Sequence, residues 1–80
     1  MAKSFTPKKG RVIAKKIGRN LRRERLRLGL TQAAVAERSG LSRGSISSIE
    51  LGKRPYMLIT TLARIAGGMG INFSKLCAGC

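Results

Sequence analysis

The chain has no histidine and only three acidic residues, Glu24, Glu37 and Glu50, so it is poorly supplied with groups that move protons near neutral pH. An enzyme is therefore not expected, and no catalytic residue and no cofactor is assigned. Two cysteines, Cys77 and Cys80, are too few for a disulfide scaffold and suit a reducing cytoplasm. No apolar run approaches the ~18 residues of a membrane span, and no apolar segment follows the basic N-terminus to make it a secretory signal. What the chain does have is basic charge. Seventeen Lys and Arg give a net charge of +14, which suits a polyanion and disfavours neutral partners. Eighty residues allow one small domain with a modest core, which gains from a partner surface and leaves no room for a ligand-sensing domain. No small-molecule ligand is expected.

The most informative stretch is residues 31–52, TQAAVAERSGLSRGSISSIELG. Thr31 is an N-cap type, and a helix is predicted from Gln32 to about Ser39. Gly40 follows where a helix end favours positive φ. Ser42 is a second N-cap, with a helix predicted from Arg43 to Glu50 or Leu51 and Gly52 ending it. Two helices of about two turns with so short a link form a helix-turn-helix pattern. Projecting the second helix at about 100° per residue puts Ser42, Ser45, Ile46, Ile49 and Glu50 on one side. Arg43, Gly44, Ser47, Ser48 and Leu51 fall on the other. The isoleucines turn the first side inward. The second has one long cation among small residues. A glycine inside a helix costs roughly 1 kcal/mol against alanine, so local stability does not explain Gly44, whereas close approach of another surface does. Small residues there would let the helix sit deep in a major groove, with Arg43 placed for a bidentate contact to guanine.

With Gln32, Ala36, Gly40, Ile46, Ile49 and Glu50 in register, the chain resembles the phage-repressor helix-turn-helix family, the Cro-like or Xre-like regulators, from about Ile17 to Leu76. The resemblance implies a phosphate contact by Gln32, which a helix N-terminus also favours, and a close helix crossing at Ala36. By position it implies base reading by Arg43, Gly44, Ser47 and Ser48, with Ser42 at the edge against the backbone. Lys53 and Arg54, in the loop GKRPYML, stand where the family grips phosphates. The family often pairs an arginine of the preceding helix with the glutamate closing the second; here these are Arg25 and Glu50. A charge near the apolar stripe is costly unless paired, which also favours that ion pair.

In the rest of the chain, residues 1–11 contain Pro7, Gly10 and four basic residues and are expected to form a flexible arm, either a solubilising tail or one that follows DNA. A helix is expected over 12–28, with Val12, Ile13, Ile17, Leu21 and Leu28 at helical spacing. Its other cations are mostly solvated, with Arg22 and Arg23 as candidates to reach phosphate. Tyr56 is expected to pack rather than stack on a base. A fourth helix is expected over 59–68 with Leu62, Ile65 and Ala66 inward, and Gly67, Gly68 and Gly70 suggest an early end or a loose turn. Residues 71–77 read as a short fifth helix whose Ile71, Phe73 and Leu76 either close the core or, as in relatives, form a dimer contact, the preferred reading. Cys77 and Cys80 form a C-x-x-C. One chain offers only two of the four ligands a zinc site needs. A zinc site across a dimer or a redox switch is weaker than the plain expectation of a half-buried Cys77 and a frayed Cys80, and no metal site is assigned.

The reading is an all-α, compact bundle of about five short helices with a central helix-turn-helix over residues 12–77 and a C-terminal tail at 78–80. It is expected to be a sequence-specific DNA-binding transcriptional regulator. It would act as a repressor, binding a palindromic operator in double-stranded DNA as a homodimer with half-sites about one helical turn apart, often on its own promoter. No membrane partner is expected, and a bacterial, phage or plasmid setting in the cytoplasm is implied. Two alternatives stay open. One is an antitoxin-like protein whose main partner is another protein, and the other a non-specific basic protein for RNA or membrane surfaces.

Overall fold

The computed structural model describes residues 6–80. They form four α-helices, α1 (Pro7–Arg27), α2 (Gln32–Ser39), α3 (Arg43–Glu50) and α4 (Ile59–Met69), and one 3-10 turn (Phe73–Lys75), with no strand among the described residues. The core takes Ile17 and Leu21 from α1, Val35 and Ala36 from α2, Ile46 and Ile49 from α3, and Leu62, Ile65, Ala66 and Met69 from α4. Leu76 closes it from the C-terminal end. Leu30 and Leu41 pack against this cluster from the links.

The largest departure from expectation is the start of α1. Residues 7–11, expected in the arm, are helical, because Pro7 stands in the first turn, where its missing N–H costs nothing. The Thr6 hydroxyl accepts from the Lys9 amide at 3.2 Å as the N-cap. The rest of the expected arm, residues 1–5, lies outside the described residues. α1 buries Gly10, Ala14, Ile17, Leu21 and Glu24 along one face, and Val12 and Ile13, expected inside, project off that face and are exposed. Leu28, the C-cap of α1, is exposed as well.

The glycines near the end of α4 do not end it early. The helix runs through Gly67 and Gly68 and stops at Gly70, which takes the left-handed conformation with φ 69°. Gly68 is there for packing: a Cβ would sit 2.8 Å from the Ser39 hydroxyl and 3.0 Å from the Arg38 carbonyl oxygen. Gly18 does the same on α1, where a Cβ would run into the Ile49 carbonyl oxygen. Two helix crossings are thus set by the absence of a side chain. Residues 71–77 hold a single 3-10 turn, capped by Asn72, whose side chain accepts from Ser74.

Candidate nucleic-acid interface

The helix-turn-helix is built as its sequence implies. Thr31 caps α2 by accepting from Ala34 at 3.0 Å, and Ser42 caps α3 by accepting from Ser45 at 3.1 Å. Gly40 takes φ 67°, and the amide of Leu41 returns to the Ala36 carbonyl at 2.9 Å, closing the α2 end. A further brace has no counterpart in the sequence reading. Arg64 of α4 donates from Nε to the Ser39 carbonyl at 3.0 Å and from Nη2 to the Gly40 carbonyl at 2.7 Å. A cation is thereby placed on the negative end of α2. Arg64, the lone charge in α4, was the sequence signal available.

Arg25 and Glu50 form the expected pair. Arg25 Nε lies 2.6 Å from Glu50 Oε2 and Nη2 lies 3.0 Å from Oε1, with side chains only 11% and 4% exposed. A third guanidinium nitrogen donates to the Leu30 carbonyl at 3.0 Å. The hydrogen bonds to Glu50 raise the Arg25 pKa further above its ordinary value, against the opposing pull of burial. Gln32, expected on a phosphate, is half-buried and donates its side-chain amide to Glu50 Oε1 at 3.2 Å. Its side chain is therefore committed first to this cluster, and α1, α2 and α3 are fastened at one point.

With its inner side fixed, α3 presents the rest outward. Arg43 and Gly44 are exposed, and Ser47 and Ser48 are half-exposed. Near Gly44 a Cβ would meet only the Ser42 hydroxyl, at 3.9 Å, so nothing inside the described chain requires a glycine there. Ser42 is exposed, with its hydroxyl shared between the cap and a 2.9 Å bond to Ser45 Oγ. Arg54 Nη2 reaches the same Ser45 hydroxyl at 3.2 Å, which folds the following loop against α3, and Lys53 beside it is exposed. Arg22 and Ser47 border one hollow with Gln32, and Arg43 borders another with Thr31 and Gln32.

Other assignments separate from this face. Arg23, one residue around the helix from Arg22, borders a hollow with Asn20 and Gly79 and lies 3.5 Å from Glu24, so it is placed with the C-terminal tail rather than with α3. Leu76 is fully buried, while Ile71 and Phe73 are half-buried and lean on the same core. The core therefore consumes Leu76 and much of the other two, and the pairing surface expected there is correspondingly small. Tyr56, expected to pack, lies in the link between α3 and α4 and is 76% exposed, as are Leu58 and Ile59 after it to a similar degree. Leu51, on the outward face of α3 by projection, is also exposed.

Two further polar groups hold the frame without having stood out in the sequence. Asn20, buried in α1, donates to the Leu76 carbonyl at 2.9 Å and the Ala78 carbonyl at 2.7 Å, tying down the expected tail. The Glu24 carboxylate is buried and held by Arg27 at 2.8 Å. That hydrogen bond lowers its pKa below the usual carboxylate range, against burial. Cys77 is half-buried and Cys80 exposed, both as free thiols, with the Cys77 pKa raised by burial and then by Cys80.

A family model described as a helix-turn-helix domain matches residues 16–71. The chain is 40% identical over 62 residues to the uncharacterised HTH-type transcriptional regulator y4dJ of Sinorhizobium fredii, covering 78% of this chain and 79% of that one. It is similar to the restriction-modification controller protein C.AhdI from Aeromonas hydrophila, with a TM-score of 0.75, 30% identity and coverage of 79% of this chain and 94% of that one. An HTH_3 family transcriptional regulator from Vibrio cholerae gives a TM-score of 0.79 at 30% identity, over 84% of this chain and 37% of that one.

Proposed function

The chain belongs to the helix-turn-helix family of DNA-binding transcriptional regulators of the Cro/Xre type, not to an enzyme family, and on that premise we propose that it is a repressor that reads a palindromic operator as a homodimer. The observation that carries the reading is the outward side of α3, where Arg43 stands at the exposed N-terminal end beside a glycine the fold does not need. In this reading α3 enters the major groove and Arg43 makes the bidentate contact to guanine. Gly44 allows the close approach, and Ser47 and Ser48 contribute hydrogen bonds. Lys53, Arg54, Arg22 and the α2 end at Gln32 meet phosphates on either side. Occupation of a promoter would then block transcription, on its own gene among others.

The homodimer is supported by an exposed apolar stretch that is clear of the chain's charge. Two copies at +14 repel through most surfaces, yet residues 55–63 hold no charged side chain. Tyr56, Leu58 and Ile59 there are 76%, 72% and 74% exposed, an apolar stretch that calls for a cover. We place the pairing surface on this stretch, with the remaining exposed parts of Ile71 and Phe73 as its alternative. Selection from random duplex DNA with purified protein tests the whole reading. An enriched palindrome is expected. Binding without enrichment would leave only charge-driven affinity.

A further inference from the structure

Because α1 starts at Pro7, it carries two separate basic stripes. Projected at about 100° per residue, Lys8, Arg11, Lys15, Arg19 and Arg22 fall within an arc of about 80°. Lys9, Lys16, Arg23 and Arg27 fall on a second arc, about 100° further round. The second stripe is engaged within the chain at three positions. Lys16 donates to the Gly79 carbonyl at 3.0 Å, and Arg23 and Arg27 hold Glu24. The first stripe is different: all five side chains are exposed, and among the described residues none makes a hydrogen bond or ion pair.

The fold gains nothing from that arrangement. Like charges three and four residues apart repel on a helix, and Lys8 and Arg11 lie near the positive end of α1, whose first turn has no acid. The free stripe also runs into the site already described. Arg19 and Arg22 border the hollow that holds Gln32 and Ser47. Lys15 lies against the turn that ends α3, where a Cβ on Gly52 would meet its Cγ at 2.6 Å, and Lys53 and Arg54 follow that turn directly.

We propose that Lys8, Arg11, Lys15 and Arg19 form a phosphate-binding track that extends from the recognition helix along the DNA backbone flanking each half-site. This rests on the DNA-binding reading above and adds a second zone of contact. Lys8 to Arg22 spans about 21 Å at 1.5 Å per residue, long enough to follow several phosphates on one strand. The track carries no base information. It supplies salt-sensitive affinity and lengthens the protected segment. Lys8, Arg11 and Lys15 precede residues 16–71, the span matched to the helix-turn-helix domain, and Arg19 lies inside it.

The test compares Lys8→Gln/Arg11→Gln/Lys15→Gln with Lys9→Gln/Lys16→Gln/Lys75→Gln, which removes the same charge elsewhere. Both are titrated with the selected operator carrying about one helical turn of flanking DNA on each side, and with the operator trimmed of its flanks. The stripe variant is expected to show a salt slope shallower by about 0.9 for each phosphate it no longer neutralises. Three such phosphates per protomer account for roughly fortyfold of the wild-type fall in affinity between 50 and 200 mM salt. The effect should fade on the trimmed duplex, base preference should stay unchanged, and the melting temperature should hold or rise as repulsion is relieved. Equal slopes for the two variants, or an equal weakening on the trimmed duplex, would overturn the track while leaving the recognition helix intact. A wild-type protein that binds no duplex DNA would overturn both.

Discussion

Arg25 and Glu50, 25 residues apart in sequence, meet in a two-pronged ion pair almost shut off from solvent, and that contact fastens α3 to α1 from behind its outward side. Removing one partner strands the other as a buried charge. Glu50→Ala is expected to destabilise the fold by ~3–5 kcal/mol, lowering the melting temperature by more than about 10 °C. Replacing both residues by apolar ones, Arg25→Met with Glu50→Leu, should recover much of the loss. Thermal denaturation of the two variants checks this, and an unchanged midpoint for Glu50→Ala would remove the pair as a brace.

Three glycines should respond to alanine in different ways. Gly67→Ala, in a helix with open space around it, should stabilise by about 0.4–1 kcal/mol. Gly18→Ala should destabilise despite better helix propensity, because the new methyl meets the Ile49 carbonyl and backbone cannot move aside cheaply. Gly44→Ala should leave the fold as stable or more so, yet weaken operator binding. Urea titration beside a DNA-binding assay separates the three. A Gly44→Ala protein with undiminished affinity would show that no close approach occurs there.

Acid should loosen the end of α1. The Glu24 carboxyl titrates below its ordinary value of 4.5 because Arg27 holds the charged form. Its contribution is therefore complete above that ordinary value and is lost as pH falls through the lower folded one. Glu24→Gln should flatten this part of the stability curve below about pH 4.5 and leave its slope above pH 5 to 6 unchanged. Denaturant midpoints across pH 2 to 7 give the comparison.

Lys53→Ala should weaken binding to all duplexes about equally and lower the salt slope by about 0.9 per protomer. A loss confined to the operator would mean that Lys53 reads sequence. Substitution of Tyr56, Leu58 and Ile59 by serine should leave the monomer folded and shift sedimentation toward it. An unaltered oligomeric state would move the pairing surface elsewhere.

The helix-turn-helix was legible because its determinants are local: two N-cap residues, a left-handed glycine, and isoleucines at helical spacing. Arg25 with Glu50 was legible because a cation near an apolar stripe demands a partner and the chain has few acids. Where the sequence misled, the deciding interaction was tertiary or read with the wrong sign. Pro7 and Gly10 looked like breakers, although proline in a first turn behind Thr6 starts a helix. Gly68 looked like a stop, although its role is to admit α2. Leu76 has the same apolar character whether it faces a partner or its own core, and only the docking of the C-terminal end by Asn20 decides between them. Arg23 and Arg22 are equivalent in composition but 100° apart on the helix, and that angle separates tail from α3.

On the proposed function, Arg43 reads a base from the start of α3. The direct measurement is a cycle on the selected operator. Wild type and Arg43→Ala are each titrated against the operator and against single base-pair changes through the half-site. Arg43→Ala is expected to lose ~1–3 kcal/mol per half-site and to become indifferent to one base pair, while its preferences elsewhere persist. Discrimination that is the same for both proteins at every position would contradict the claim.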